Sequence, residues 1–375
     1  MLTGSDLQTL RESIEQIDRE LMKQIKQRME LVEEIATTKL KAAFPFRDQH
    51  REEQVLQRVR RAAVELGLDA HAIERLYRLI MEMSISHQQA HVQALDTTPL
   101  RVAYQGVEGS YSHLTAQRRY AGRKGGVLLT GFPTVRQATD AVRSGAADVT
   151  LLPIENSTAG SINETYDELA EGRLTINAEV ISQVEHCLLA VPGAELEDLR
   201  RVSSHPQALK QCEEFLQSLP QVVTEAEFDT AGAARKVAEA KDPSHAAIAS
   251  ESAGEMLGLQ ILRRGIQMQA GNATRFVEVA IEAMPCPPDA VCKTSLSIVV
   301  DHHAGHLGEV LMAFGNRNIQ MTKLESRPMA TDAWKYRFYI DVLAHADAAD
   351  MVAALDGVRE LTRELRLLGT YPQAQ

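Results

Sequence analysis

A chain of 375 residues, 44% hydrophobic and 24% charged, can bury two or three separate cores. Its formal net charge of −11 and its lack of any Lys/Arg cluster argue against a nucleic-acid binder. Cys187, Cys212, Cys286 and Cys292 form no C-x-x-C pair, so neither a zinc site nor a disulfide framework is expected, and reduced thiols are the default. No basic N-terminal patch precedes an apolar run, and no stretch of about 18 uncharged apolar residues occurs, so the expectation is a cytoplasmic protein without a membrane segment.

From Leu7 to about Lys41 apolar residues recur in steps of three and four, which predicts one long helix. Pro45 closes it. Asp48 opens a second helix to Glu65, and Gly67-Leu68-Asp69 opens a third that reaches about Gln93. Behind the breaker Thr97-Thr98-Pro99, β-type runs at Arg101–Gln105, Val127–Phe132, Val149–Ile154, Leu174–Ile181 and Cys187–Val191 alternate with helices. That alternation predicts an α/β domain with a largely parallel sheet. After a linker at Ala283–Asp289 come Ser295–Asp301, a helix at His306–Asn316, Met321–Ser326, Trp334–Leu343, a helix at Ala348–Leu365, and Leu367–Tyr371. This β-α-β-β-α-β order is ferredoxin-like. The expected domains are 1–96, 100–282, a linker at 283–293, and 294–372.

The first segment carries 14 Lys/Arg against 15 Asp/Glu up to residue 95, so an anion bound there needs cations placed locally. Arg28 and Lys39 stand about 16 Å apart on nearly one helix face, close enough for two long side chains to clasp a small dicarboxylate. Arg11 lies about 25 Å from Arg28 along the axis and cannot reach the same ligand. Two such helices set antiparallel about a two-fold near residue 22 bring position 11 of one opposite position 33 of the other. An intertwined dimer with a shared site follows.

Arg11, Arg28, Lys39, the run Arg47-Asp48-x-x-Arg51-Glu52, and Ser84 with Gln88 resemble the pattern of the all-helical chorismate mutase family over residues 5–92. The resemblance implies a pericyclic rearrangement of chorismate to prephenate, which needs a held conformer and complementary charge but no nucleophile. It assigns Arg11 and Arg28 to carboxylates, Lys39 and Gln88 to the ether oxygen, and Asp48, Glu52 and Ser84 to the hydroxyl side of the ring.

In the second segment, Gly106-x-x-Gly109-Ser-Tyr-Ser112, Pro153-Ile-Glu-Asn-Ser157, Ser204-His-Pro-Gln207 with Gln211, and Asn272-Ala-Thr-Arg-Phe276 sit at strand ends or helix starts, where α/β sheets bind anions. Together they resemble prephenate dehydratase, whose fold is two-lobed and like a periplasmic binding protein. The resemblance implies loss of hydroxyl and CO2 from prephenate without a metal or organic cofactor. Thr274 would hydrogen-bond the leaving hydroxyl, Arg275 would anchor a carboxylate, and Glu155, Asn156, Ser204 and Gln211 would line the cleft. Glu155 or His205 remains open as the acid, Cys212 reads as a buried thiol, and His186 as a packing residue.

Glu325-Ser326-Arg327-Pro328, with Gly305 and Leu307 flanking His306, resembles the ACT regulatory module, which implies phenylalanine as effector. His302, His303 and His306 have no carboxylate or cysteine at ligand spacing and suggest no metal. Two alternatives stand beside this reading: a chain with one live catalytic unit, and a ligand-sensing protein.

Overall fold

The computed structural model describes residues 4–42, 49–95, 98–286, 290–300, 303–329 and 335–374. Pro45, Arg47, Asp48, residues 287–289 of the linker, Asp301, His302 and Trp334 lie outside them. The chain divides into two compact units, one spanning Met1–Thr97 and the other Thr98–Cys286 with Ala290–Gln375.

The first unit is three helices: α1 (Gly4–Ala42), α2 (Gln49–Glu65) and α3 (Ala70–Leu95). With 39 residues α1 is about 58 Å long. Its C-terminal half packs on α3 and buries Val32 and Ala36, while Leu56 and Ala63 of α2 and Ile80, Met81 and Ile85 of α3 are buried too. Its N-terminal half has no such cover, and Leu10, Ile14, Ile17 and Leu21 are each more than half exposed. Asp69 caps α3 by accepting from His71 N at 2.8 Å and Ala72 N at 3.2 Å, and these backbone donors lower its pKa. Between α2 and α3, the buried Glu74 accepts from Arg60 through both oxygens and from Arg78 at 2.8 Å.

The second unit starts with β1 (Leu100–Gln105), α4 (Tyr111–Tyr120), β2 (Val127–Phe132), α5 (Val135–Arg143), β3 (Val149–Asn156), β4 (Gly160–Ser161), α6 (Asn163–Glu171) and β5 (Thr175–Gln183). A second lobe follows: β6 (Cys187–Ala190), β7 (Arg201–Ser204), α7 (Pro206–Gln211), α8 (Glu213–Gln217), β8 (Val223–Ala226), α9 (Thr230–Ala240), β9 (His245–Ala249), α10 (Glu251–Leu257) and β10 (Gln260–Arg263). The chain then returns to the first lobe as β11 (Ala273–Ala280), inserted between β3 and β5. The two sheets run β2-β1-β3-β11-β5, with β4 beside β3, and β10-β6-β9-β7-β8. Neither is the largely parallel sheet that the alternation predicted. β11 pairs antiparallel with β3 and β5, and β6 antiparallel with β9 and β10. The reason is the lobe crossing, because a strand returning from the other lobe enters the sheet from the opposite end.

The C-terminal module comprises β12 (Cys292–Val300), α11 (His306–Gly315), β13 (Met321–Pro328), β14 (Tyr336–Val342), α12 (Ala349–Leu361) and β15 (Thr362–Pro372), with sheet order β13-β14-β12-β15. Every pairing is antiparallel, as the ferredoxin-like order requires. The helix expected to run to Leu365 stops at Leu361, because Thr362–Leu365 pairs with β12 and that ladder overrides local helix propensity. Leu296, Ile298, Ile340 and Val342 face α11 and α12, while Ser295, Tyr339 and Asp341 alternate to the other side. Tyr339, Leu368 and Tyr371 on that side share one apolar core with Leu152, Ile154, Leu169 and Ile176 of the first lobe. Gly369 permits this approach, since a Cβ there would lie 2.1 Å from Ile176 O.

Two cysteine readings divide. Cys212 is buried with its thiol pushed up to about 12 by burial, the core role expected of it. Cys286 and Cys292, expected to be reduced, form a disulfide with Cα atoms 6.4 Å apart. The six-residue spacing does not advertise this pairing.

Candidate active sites

In the helical unit, Arg28 of α1 reaches across to α3, donating to Ser84 Oγ and to Ile80 O at 3.4 Å. Ser84 in turn donates to Ile80 O at 2.6 Å, and burial lowers the Arg28 pKa. One turn beyond Ser84, Gln88 is buried and its Oε1 meets no partner among the described residues. An unpartnered buried acceptor costs about 1–3 kcal/mol, a cost expected where a ligand completes the shell. Two neighbours of Gln88 on α3, which sequence reasoning passed over, fix this stretch to α1. His87 Nε2 lies 2.7 Å from Glu33 Oε1, and His91 Nε2 lies 3.3 Å from Thr37 Oγ1. Lys39 follows Thr37 by two residues on α1 and is half-buried, as is Glu52 on α2. Arg11 is exposed on the uncovered half of α1. Asp48 lies outside the described residues.

In the second unit the register places Thr274, at the start of β11, opposite Asn156, at the end of β3. The orientation of the Asn156 amide is fixed by chemistry. Its Oδ1 accepts from Thr158 N at 3.1 Å and Ala159 N at 2.9 Å, and backbone N–H groups can only donate. Its Nδ2 therefore faces the other way and donates to Asn272 Oδ1 at 2.8 Å, Ala273 O at 3.1 Å and Thr274 Oγ1 at 2.9 Å. Thr274 is thus an acceptor in this bond, and its own hydroxyl proton is left to point elsewhere.

The network extends to the second lobe. Gln211 donates to Thr158 Oγ1, Asn272 Nδ2 donates to Gln211 Oε1 at 3.2 Å, and His186 Nε2 lies 2.8 Å from the same oxygen. His186 Nδ1 is 3.2 Å from Tyr111 OH, which also donates to Glu185 O at 2.7 Å. His186, expected only to pack, is therefore a member, along with Thr158, Asn272 and Tyr111. Burial lowers its pKa, so a neutral imidazole links the two lobes. Tyr111 is launched by Gly106-x-x-Gly109-Ser110, in which Ser110 caps α4 by accepting from His113 N. A cavity of about 200 Å³ opens beside the network, lined by Thr158, Gln207, Gln211, Gln267, Met268 and Asn272.

Three expected cleft residues are placed elsewhere. Consecutive strand residues point to opposite faces, so Arg275 and Glu155, themselves register partners, turn away from Thr274 and Asn156. Arg275, expected to anchor a substrate carboxylate, is held by the protein's own carboxylates. It is enclosed by Glu155 at 3.1 Å, Glu179 at 3.1 Å and Asp341 at 2.9 Å. Burial opposes its charge, but Asp341 and its neighbours outweigh that and raise its pKa. Burial raises the Glu155 carboxyl, but Lys323 and Arg275 outweigh that and hold it below the usual range. Ser204 is fully buried and donates to Ile248 O at 2.6 Å, tying β7 to β9. His205 caps α7, its Nδ1 accepting from Gln207 N at 3.2 Å, and burial lowers its pKa.

In the C-terminal module Gly305 takes a left-handed φ of 87° as the N-cap of α11, and Leu307 lies in the first turn of that helix. Of the Glu325–Pro328 segment, Glu325 and Arg327 turn toward the first lobe, where Glu325 accepts from Ser161 Oγ at 2.8 Å and Arg327 pairs with Asp167 at 2.7 Å. Ser326 and Pro328 alternate outward and are exposed. Among the described residues no helix is long and apolar enough to cross a membrane, and no three His, Cys, Asp or Glu side chains group to hold a metal.

The chorismate mutase type II family model matches residues 10–89 and the prephenate dehydratase model residues 102–284. The bifunctional chorismate mutase/prephenate dehydratase of Escherichia coli K12 is 38% identical over 377 residues, covering 99% of this chain and 97% of that protein. A crystal structure of prephenate dehydratase from Arthrobacter aurescens in complex with L-Phe is 30% identical, with TM-score 0.67 over 73% of this chain and 90% of that one. The solved structure of GqqA, a novel type of quorum quenching acylase, is 34% identical, with TM-score 0.66 over 72% of this chain and 97% of that one. With both family models in sequence on one chain and a relative matched end to end, the protein belongs to the bifunctional chorismate mutase/prephenate dehydratase family.

Proposed function

We propose that the chain rearranges chorismate to prephenate in its helical unit and converts prephenate to phenylpyruvate in its α/β lobes, as an enzyme of phenylalanine biosynthesis. The observation that carries the second step is the orientation of Asn156, which makes Thr274 an acceptor and leaves its proton for a bound ligand. In the reaction the ring C–O bond breaks with its electron pair on the oxygen, and the departing hydroxyl takes a proton from solvent to leave as water. The C–CO2 bond breaks with it: CO2 departs, and the electron pair left behind enters the ring and completes its aromaticity. A hydrogen bond from Thr274 to the departing oxygen stabilises charge where it develops. Gln211, Thr158 and Asn272 frame that position, and the neutral His186 holds Gln211.

For the mutase step, Arg28 with Ser84, Lys39, Glu52 and Gln88 form the polar set, with Asp48 assigned to the hydroxyl side of the ring by resemblance. The exposed stripe Leu10–Leu21 supports a homodimer in which α1 pairs with its own copy and brings Arg11 of one protomer to the site of the other. We read residues 1–96, 100–282 and 294–372 as mutase, dehydratase and ACT modules, joined by a linker at 283–293, in a cytoplasmic enzyme. Gly305, Leu307 and the segment Glu325–Pro328 would serve phenylalanine, the feedback effector. Feeding chorismate to the purified chain, then prephenate, with and without phenylalanine, tests this. Phenylpyruvate should form from both substrates and diminish with phenylalanine. Turnover of one substrate alone would leave a single live unit.

A further inference from the structure

Buried charge gathers where the C-terminal module meets the first lobe. Arg275, Lys293 and Lys323 face Glu155, Glu179 and Asp341, with Lys293 Nζ 2.8 Å from both Glu179 oxygens. Such a cluster persists only while every charge keeps its partner, because one orphaned ion costs more than the pairs gain. Lys323 lies on β13, two residues before Glu325. It donates to Glu155 at 2.8 Å and to Ser161 Oγ at 2.9 Å, and Glu325 accepts from that same hydroxyl. Glu155 and Ser161 are register partners across β3 and β4, next to Asn156 and Gly160. The narrow β3–β4 ribbon therefore has the regulatory strand on one face and, through Asn156 and Thr158, the Thr274–Gln211 network on the other.

We infer that the β3–β4 ribbon is a positioning joint, in which Lys323 and Ser161 transmit the state of β13 to Asn156 and Thr158. An effector seated at Glu325–Pro328 acts on β13, whose inward side chains Lys323, Glu325 and Arg327 are all fastened to the first lobe. Close packing allows that strand a few discrete seatings and not a continuum, so a small shift there re-seats the ribbon and the Asn156–Thr274 bond with it. Arg275 fastens the ribbon independently through Glu155, so the joint can lose Lys323 without losing its ground position.

The inference rests on the reading of the C-terminal module as a phenylalanine sensor. Its test uses the full chain as parent, Lys323→Gln and Ser161→Ala, with calorimetry for phenylalanine binding and steady-state kinetics on prephenate. Both variants should bind phenylalanine, and turn over prephenate in its absence, within about threefold of the parent. The effect of phenylalanine on prephenate turnover should weaken by about fivefold or more, the lower end of ordinary coupling. Ser161→Ala keeps the test open if Lys323→Gln does not fold. Variants that bind phenylalanine and are inhibited like the parent overturn the inference. So do variants that no longer bind it, since Lys323 and Ser161 would then belong to the effector pocket. A parent that binds no phenylalanine removes the sensor reading and the inference together.

Discussion

Replacing Thr274 with valine removes one hydroxyl from a site whose other bonds survive. Asn156 Nδ2 keeps Asn272 Oδ1 at 2.8 Å and Ala273 O at 3.1 Å, and its Oδ1 keeps two backbone donors. The loss to stability is then one neutral hydrogen bond, about 0.5–1.5 kcal/mol. The loss to dehydration is a donor aimed at developing charge, about 10²–10³ in kcat. In energy the second, about 2.7–4 kcal/mol, exceeds the first. Phenylpyruvate formation from prephenate measures the second, thermal melting measures the first, and chorismate turnover on the same sample serves as the internal standard. Thr274→Ser keeps a hydroxyl and should recover most of the rate. A Thr274→Val enzyme that retained more than about a tenth of parental kcat would refute the assignment, whatever its stability.

Gln88→Ala should lower mutase turnover by at least about tenfold and leave prephenate turnover unchanged, since it removes the amide whose Oε1 is unpartnered in the helical unit. Dehydratase kcat should be flat from about pH 6.5 to 9: His186 and His205 have pKa values lowered by burial and are neutral there, while Glu155, lowered by Lys323 and Arg275 against the effect of burial, is ionised. An inflection between about pH 7 and 8 would point to an acid outside this network. Glu74 is depressed from 4.5 to about 2 by Arg60 and Arg78 acting against burial. Its stabilising contribution is therefore complete above pH 4.5 and fades as pH falls toward 2. Glu74→Gln should lower the stability of the helical unit by about 2 kcal/mol at neutral pH and flatten its acid dependence, followed by helical circular dichroism.

Much of this was legible from local pattern. Val127–Phe132 is a strand with the bounds that its apolar run suggests, and the helical repeat of α1 reads directly. Non-local pairing is what the pattern lacks. Nothing near Thr362 announces that β12 will claim the four residues after Leu361, and nothing near Cys286 announces Cys292 as its partner. The same gap explains why Arg275 and Glu155 were expected beside Thr274 and Asn156. Thr274 and Asn156 meet across 118 positions, and only that register reveals that Arg275 and Glu155 turn to the opposite face. His186 looked like a strand residue because its partners, Gln211 and Tyr111, come from helices 25 and 75 residues away.

The strings Glu155-Asn156 and Thr274-Arg275 each interleave two independent demands, one residue answering to chemistry and the next to docking. A deletion or insertion of one residue in either strand would exchange the two faces, sending an arginine toward the Asn156–Gln211 network and a threonine into the ionic cluster. Such a lesion would be expected to lower turnover and loosen the C-terminal module in the same event. Substitutions, by contrast, can alter either property alone, so the ribbon tolerates tuning of rate or of response but no change of length.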